Sequence, residues 1–215
     1  MICGVDEAGR GPVLGPLVIC AVAIESDEKL RALGVKDSKQ LTARKREELA
    51  LKIRKVAKVE LIVLDAAYID SLRNLNGLNE IEAWKMAELI NILGPEVAFV
   101  DAADANEKNF AKMVKSELKC NAKIISEHKA DQNYPVVSAA SIIAKVTRDE
   151  CIRSIELEMG EPIGSGYTSD PVTVAFLQNY IKKHGECPPH TRESWETAKN
   201  LMMLNSLKTL DSFEG

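Results

Sequence analysis

Two adjacent carboxylates lie beside an arginine near the start of the chain. Asp6 and Glu7 follow an apolar run, and Arg10 stands between Gly9 and Gly11. Carboxylates at the end of a strand suit hard divalent cations, whereas an arginine and exposed backbone amides suit a phosphodiester. Anions and a guanidinium in one turn therefore predict metal-assisted chemistry on a polyanion.

Two further acids stand in similar places. Asp101 ends the apolar run 97–100, and Asp131 follows a β-branched run at 122–125. Ligands gather where the strands of an open α/β sheet end, and converging carboxylates repel one another unless a cation is bound. Oxygen ligands without nearby cysteine or paired histidine suit Mg²⁺ or Mn²⁺ and argue against zinc.

Asp6 and Glu7 are neighbours, and neighbouring side chains on a regular strand point to opposite faces. They can serve one site only if the strand bends or bulges, which Gly4 and Gly9 would allow. For any single acid the alternative is an exposed charge or a helix cap. That interpretation is favoured for three others, Asp104, Asp149 and Asp170.

The composition limits the class of protein. The chain has 215 residues, 46% of them hydrophobic, which suits one large domain or one domain with an appendage. No apolar run reaches the roughly 18 residues needed to span a bilayer, and Met1 leads directly into strand-like sequence. Five scattered cysteines indicate reduced thiols. We therefore expect a soluble, cytoplasmic protein that does not bind membranes.

Charge is unevenly distributed along the chain. A net charge of -4 argues against a protein that wraps nucleic acid over its whole surface. Residues 27–60 nevertheless carry a local balance of +5. Two interpretations of this run are open, a solvated helix face and a stripe that binds phosphates.

Hydrophobic periodicity predicts the elements that position these residues. Strands are expected at about 1–6, 17–25, 59–64, 97–100 and 122–125. Helices are expected after Thr42 and Pro135 and at about 66–73, 79–93, 107–118, 170–184 and 192–204. The alternation indicates an α/β sheet with helices on both faces. We expect a catalytic core at 1–160, a C-terminal helical extension at 161–205 and a flexible tail at 206–215.

Several motifs together resemble ribonuclease HII, the type 2 ribonuclease H family. They are residues 6–11, 36–41, 100–102, 129–149, 164–171 and 190–195. The resemblance spans roughly residues 1–200 in the family's order, and the length is similar to that of compact archaeal members. It implies a ribonuclease H-like mixed five-stranded sheet with a C-terminal helical extension.

The resemblance implies an endonuclease that hydrolyses the RNA strand of RNA–DNA hybrids. It also implies cutting 5′ of a ribonucleotide embedded in duplex DNA, leaving a 3′-hydroxyl and a 5′-phosphate. The catalytic, metal-binding acids would be Asp6, Glu7, Asp101 and Asp131. Of two bound Mg²⁺ or Mn²⁺ ions, one would activate the attacking water and the other would stabilise the leaving 3′-oxygen.

Substrate recognition is also implied by the resemblance. The turn formed by Gly9, Arg10 and Gly11 would detect the 2′-hydroxyl at the cleavage junction, largely through backbone groups. Glycine suits this role because a residue without Cβ lets the backbone approach the sugar closely. Tyr167 would pack on the adjacent deoxyribose, and its alternative is an ordinary half-buried core tyrosine.

Three cations are candidate phosphate ligands. Lys39 matches a phosphate contact of the family, and Lys145 and Arg148 are further candidates, with a surface salt bridge as the alternative for both. His128 lies three residues before Asp131, where a structural, hydrogen-bonded histidine is favoured over a proton shuttle.

The C-terminal sequence contains an incomplete sliding-clamp motif. Leu207, Leu210 and Phe213 have its spacing, but Leu207 replaces the usual glutamine and there is one aromatic residue. A frayed terminus is the alternative to clamp binding. We expect the protein to be a monomer.

Two other functions fit part of the sequence. Another nuclease or strand-transfer enzyme of the same fold has no need of a turn that reads a 2′-hydroxyl, such as Gly9, Arg10 and Gly11 with Tyr167. A non-catalytic hybrid-binding module gains nothing from four acids that face phosphate. Ribonuclease HII activity is therefore the leading hypothesis.

Overall fold

The chain contains a mixed five-stranded sheet. A computed structural model describes residues 1–35 and 41–211, with side chains described as far as Leu207. The strand order is β3-β2-β1-β4-β5. β1 pairs antiparallel with β2 and parallel with β4, and β4 pairs parallel with β5. The strands are β1 (Ile2–Ala8), β2 (Leu17–Ile24), β3 (Lys58–Leu64), β4 (Val97–Asp101) and β5 (Lys123–Glu127).

Helices alternate with these strands, as the periodicity predicted. In the described part of the chain none of them is long and apolar enough to cross a membrane. Two short helices, α1 and α6, were not predicted because one helical turn carries no periodic signal. The bounds are α1 (Glu28–Ala32), α2 (Ala43–Val56), α3 (Ala66–Arg73), α4 (Leu78–Leu93), α5 (Glu107–Ser116), α6 (Ala130–Asn133), α7 (Pro135–Met159), α8 (Pro171–His184) and α9 (Glu196–Asp211).

Local chemistry accounts for several helix ends. Thr42 caps α2, and its side chain accepts a hydrogen bond from the Lys45 amide at 3.3 Å. Gly94 ends α4 in the left-handed conformation, with φ of 56°, which glycine adopts without steric cost. These ends were predicted because the signals are local in sequence.

The last helix differs from its prediction at both ends. It begins at Glu196 rather than Arg192: Thr191 is bridged to Leu14, and residues 192–195 form a separate turn in which the Trp195 amide donates to the Arg192 carbonyl at 3.0 Å. It continues to Asp211 rather than ending at Leu204, since no glycine or proline interrupts the sequence there.

Strand β2 shows that the sheet is covered on both faces. All eight of its residues are buried. Val18, Cys20, Val22 and Ile24 join one core cluster with apolar residues of α2 and α7. The alternate residues point to the opposite face and are buried as well. Burial on both faces explains why β2 reads as a continuous apolar run.

The chain divides into two compact units. The first comprises residues 1–8, 18–63 and 76–148, and the second comprises residues 9–17, 64–75 and 149–215. The core of the second unit includes Val13, Leu14, Ile163, Phe176 and Leu177, all nearly inaccessible to solvent. These units are defined by packing, so the predicted boundary between a core at 1–160 and an extension at 161–205 stays a prediction.

Gly4 lies where α7 approaches the centre of the sheet. It pairs with Val22 on one side and with Phe99 on the other. A Cβ at this position would lie 2.3 Å from the carbonyl carbon of Val136 and 2.4 Å from the amide nitrogen of Val137. The backbone of the first turn of α7 therefore occupies the space of the missing side chain.

This contact predicts that Gly4→Ala will be strongly destabilising. The new methyl group meets main chain rather than a flexible side chain, so we expect a loss of about 3 kcal/mol and a fall in Tm of roughly 10 °C. Gly77→Ala is the matched control, because its Cβ would meet only the Glu80 side chain at 3.1 Å. Thermal unfolding of both variants tests this, and equal losses would contradict it.

Candidate active site

Strand β1 carries the first two predicted acids. The sequence placed the end of this strand at Asp6, but the strand continues through Glu7 to Ala8. Asp6 pairs with Cys20 and Glu7 with Ile19 in a one-to-one register, so of the two distortions considered, a bend or a bulge, no bulge is present in residues 2–8. Convergence of both carboxylates on one ion depends on a bend of the strand and stays a prediction.

Asp6 and Asp101 are neighbours across the central strands. β1 and β4 are parallel, and the last pair of their register is Val5 with Val100. The residues one step further along are the two aspartates, on strands about 4.8 Å apart. β4 ends on Asp101, as the sequence predicted.

Burial makes this pair of charges unfavourable. Asp6 is 4% exposed. Loss of solvation and the nearby charge of Asp101 raise the pKa of Asp6 from 3.8 to about 7. The Ser141 hydroxyl and the Lys145 ammonium act in the opposite direction and favour the charged form.

Ser141 and Lys145, which favour the charged form of Asp6, both lie on helix α7. Ser141 is fully buried, and its hydroxyl accepts a hydrogen bond from Lys145 Nζ at 2.6 Å. Because the same hydroxyl hydrogen-bonds with Asp6, a short chain links the ammonium to the buried carboxylate. Lys145 therefore lies beside the predicted site, whereas a direct phosphate contact stays a prediction.

Asp131 follows β5 on the short helix α6 and is 2% exposed. Lys129 precedes the helix in the left-handed conformation, with φ of 56°. The Ala130 amide donates to Asp101 Oδ1 at 2.9 Å, which ties this turn to the end of β4. The structure thus connects Asp6 with Asp101, and Asp101 with the residue before Asp131.

The side chains that could bind a metal ion here are carboxylates. Among residues 1–35 and 41–211, no group of three or more acid, histidine or cysteine side chains is arranged closely enough to hold an ion. The chemistry of the donors nevertheless suits a hard cation, because carboxylate oxygens are the ligands present. Burial raises the pKa of both Cys3 and Cys20, so these thiols stay protonated and are poor ligands.

The predicted turn of Gly9, Arg10 and Gly11 belongs to the second compact unit. Gly9 has a φ of 87°, a conformation that favours glycine. A Cβ on Gly11 would lie 3.8 Å from Cε1 of Tyr167, so the tyrosine ring lies against the turn. Tyr167 is 40% exposed, so part of its side chain is accessible to solvent.

The remaining predicted residues have mixed outcomes. Lys39 lies outside the described residues. Arg148 is 5% exposed, so its side chain is buried rather than at the surface, and its role as a phosphate ligand stays a prediction. The cap predicted for Asp170 is confirmed, since its Oδ1 accepts from the Val172 amide at 3.0 Å. The ring Nε2 of His128 lies 3.3 Å from the Ala105 carbonyl, a hydrogen-bonded contact of the kind expected for a structural histidine.

Sequence reasoning gave no role to three residues that the structure places at these sites. Ser141 lies within a run of small residues, and its only signal is the helical spacing of four to Lys145. Arg192 and Trp195 lie in a motif that was recognised without a function. Their contacts with the glycine turn join residues more than 180 apart in sequence, such as Arg192 with Gly9.

The mixed sheet, with acids on both central strands and a third after β5, defines a nuclease of the ribonuclease H-like class. The family model for ribonuclease HII matches residues 3–198. The chain belongs to the ribonuclease HII family, and it is an endonuclease of the ribonuclease H type that acts on RNA–DNA hybrids.

Curated relatives and solved structures agree with this assignment. Ribonuclease HII of Methanoregula boonei is 48% identical over 213 residues, covering 99% of this chain and 100% of the relative. Ribonuclease H2 from Pyrococcus horikoshii superposes with a TM-score of 0.89 at 45% identity, covering 95% of this chain and 98% of the other. Ribonuclease HII from Archaeoglobus fulgidus, solved in a complex with PCNA, has a TM-score of 0.87 at 41% identity, with coverage of 94% and 96%.

The raised pKa of Asp6 predicts how stability depends on pH when a chelator removes divalent cations. The folded protein holds this proton more tightly than the unfolded chain, so its stability falls as pH rises from 3.8 to about 7. Asp6→Asn removes the buried charge, and at pH 8 we expect its Tm to exceed that of the wild type by roughly 3–8 °C. The difference should shrink towards pH 4.

Asp104→Asn is the matched control for this measurement. The Asp104 carboxylate accepts hydrogen bonds from the Asn106 amide at 2.7 Å and from Asn79 Nδ2 at 2.9 Å, so its loss should not raise Tm. A Tm for Asp6→Asn at or below the wild-type value at pH 8 would contradict the electrostatic account.

Proposed function

We propose that this endonuclease also cuts duplex DNA on the 5′ side of an embedded ribonucleotide, leaving a 3′-hydroxyl and a 5′-phosphate. The observation that carries the catalytic centre of this proposal is a buried carboxylate, Asp6, kept beside Asp101 although burial and that neighbouring charge raise its pKa. Such a cost is typical of a functional site, because neutral residues would stabilise the same fold better.

The metal-binding acids of the proposal are Asp6, Glu7, Asp101 and Asp131. They would hold Mg²⁺ or Mn²⁺, and a pair of such ions supplies activation of the attacking water and stabilisation of the leaving 3′-oxygen. Ser141 and Lys145 favour the charged form of Asp6 through the hydroxyl hydrogen bond and the nearby ammonium charge. The amide of Ala130 orients Asp101 through its hydrogen bond to Oδ1.

Recognition of the ribose is assigned to Gly9, Arg10 and Gly11 together with Tyr167. Tyr167 lies against Gly11 and is 40% exposed, so its outer face can pack on a sugar. Glycine on either side of Arg10 lets a sugar approach the main chain closely. Lys39 is proposed as a phosphate ligand from the family resemblance alone, and Lys145 as a second one because it is partly exposed beside Asp6.

A sliding clamp is proposed as a partner of the C-terminal segment. The Archaeoglobus fulgidus relative was solved in a complex with PCNA. In this chain Leu207 is 50% exposed on α9, while the side chains of Leu210 and Phe213 lie outside the described part. These three apolar residues would form the contact, with Leu207 and Leu210 in the last part of α9.

Cleavage of three labelled duplexes tests the activity. One contains a single ribonucleotide in DNA, one is all DNA, and one is a long RNA–DNA hybrid. We expect Mg²⁺- or Mn²⁺-dependent cutting of the first and third, with no product from the second. Asp101→Asn should lower kcat by about a thousandfold or more, because it removes a charged ligand from the reacting centre.

Asp104→Asn makes the same charge change three residues away and should keep kcat within about threefold of the wild type, because its carboxylate is bonded to Asn79 and Asn106 and is not one of the proposed ligands. Cutting of the all-DNA duplex, or full activity of Asp101→Asn, would overturn the proposed function. Activity that persists in EDTA would overturn the role of the cations.

Phe213→Ala tests the clamp contact separately. Loss of the one aromatic side chain of the motif should weaken binding to an archaeal sliding clamp by at least about tenfold, because aromatic anchors dominate such small interfaces. Cleavage of a hybrid without clamp should be unchanged. Binding measured by isothermal calorimetry that is equal for both proteins would rule out this segment as the contact.

A further inference from the structure

A buried arginine holds the glycine turn. Arg192 is inaccessible to solvent, and its guanidinium donates to three main-chain carbonyls of one segment. Nη2 donates to Gly9 at 2.6 Å, Nη1 to Arg10 at 3.0 Å, and Nε to Gly15 at 3.0 Å. Hydrogen bonds from a charged donor in a buried site are strong, and the planar fork fixes their directions.

Trp195 completes this arrangement on Gly11. Its indole Nε1 donates to the Gly11 carbonyl at 3.2 Å, and its ring lies 4.8 Å from the Arg192 guanidinium. Asp70 anchors the same segment, since its carboxylate accepts from the Ser194 amide at 3.2 Å and from the Ser194 hydroxyl. The carbonyls of all three residues of the turn are therefore held by two side chains on one short segment.

The direction of these carbonyls determines the direction of two amides. In a trans peptide unit the C=O of one residue and the N–H of the next point in opposite directions, and the bonds of this turn are trans. The N–H of Arg10 therefore points away from the Arg192 guanidinium, which is hydrogen-bonded to the Gly9 carbonyl. The amide of Gly11 points away from the bond between Arg10 and Arg192, and Pro12 has no N–H to contribute.

We propose that Arg192 and Trp195 are positioning residues for ribose recognition. Their hydrogen bonds to the carbonyls of the turn orient the amides of Arg10 and Gly11 toward the sugar. This inference rests on the proposed function, in which the turn detects the 2′-hydroxyl. It adds the reason why a turn flanked by flexible glycines has one conformation, since an ordered donor loses less entropy on binding its substrate.

Trp195→Phe is the sharpest test, because it removes the indole N–H and leaves an aromatic ring beside Arg192. Trp84→Phe is the matched control, since Trp84 is the only other tryptophan, is similarly half-buried and lies on α4. Kinetics on the duplex with one ribonucleotide are measured for both, together with Tm. Arg192→Lys, which keeps the charge but loses the fork, is a second variant.

We expect Trp195→Phe to lower kcat about tenfold, with KM within about twofold and Tm within a few degrees of the wild type. The substitution should displace only the turn that contacts the sugar at the cleavage site, so the other contacts with the substrate are kept. Arg192→Lys should lower kcat further. Trp84→Phe should match the wild type. A purely structural role predicts that Tm falls while kcat of the folded enzyme is unchanged.

The outcomes separate the two proposals. Wild-type kcat for Trp195→Phe overturns the positioning role while the proposed function stands. A kcat that falls equally in Trp84→Phe also overturns it, because the effect is then not specific to the turn. Failure of the wild type to cut the ribonucleotide duplex overturns the proposed function itself. If Arg192→Lys does not fold, Trp195→Phe still decides.

Discussion

The close approach of α7 to β1 at Gly4 is the contact on which the rest of the site depends. With no side chain on Gly4, the first turn of the helix packs directly on the central strand. That distance brings Ser141, one and a half turns further along α7, within hydrogen-bonding reach of Asp6. Lys145 follows one turn later and donates to Ser141. Packing and electrostatics of the site therefore have one origin.

The buried acids of the site reduce the stability of the folded protein. Asp6 is removed from water beside Asp101, and the hydroxyl and ammonium groups of α7 offset part of the resulting cost. Divalent cations would offset the remainder, since they interact favourably with the charged form of both acids. The protein is therefore less stable than it would be with neutral residues at these positions, as is common at catalytic centres.

Much of the fold could be predicted from local signals. Thr42, Gly94 and Asp170 mark helix ends through hydrogen bonds or conformations that involve only nearby residues. Predictions failed where a distant partner intervened. β1 extends beyond Asp6 because β2 continues to pair with it, and α9 begins only after Thr191 has bridged to Leu14 and residues 192–195 have formed a turn.

The sequence by itself determined the class of chemistry, because acids at strand ends and a glycine-flanked arginine are readable from residue types and spacing. It also determined the family, through motifs that occur in order along the chain. Only the tertiary structure decided which groups tune Asp6 and which hold the glycine turn. The reason is physical: the hydrogen bond between Arg192 and Gly9 joins residues 183 apart, and no local pattern specifies such a contact.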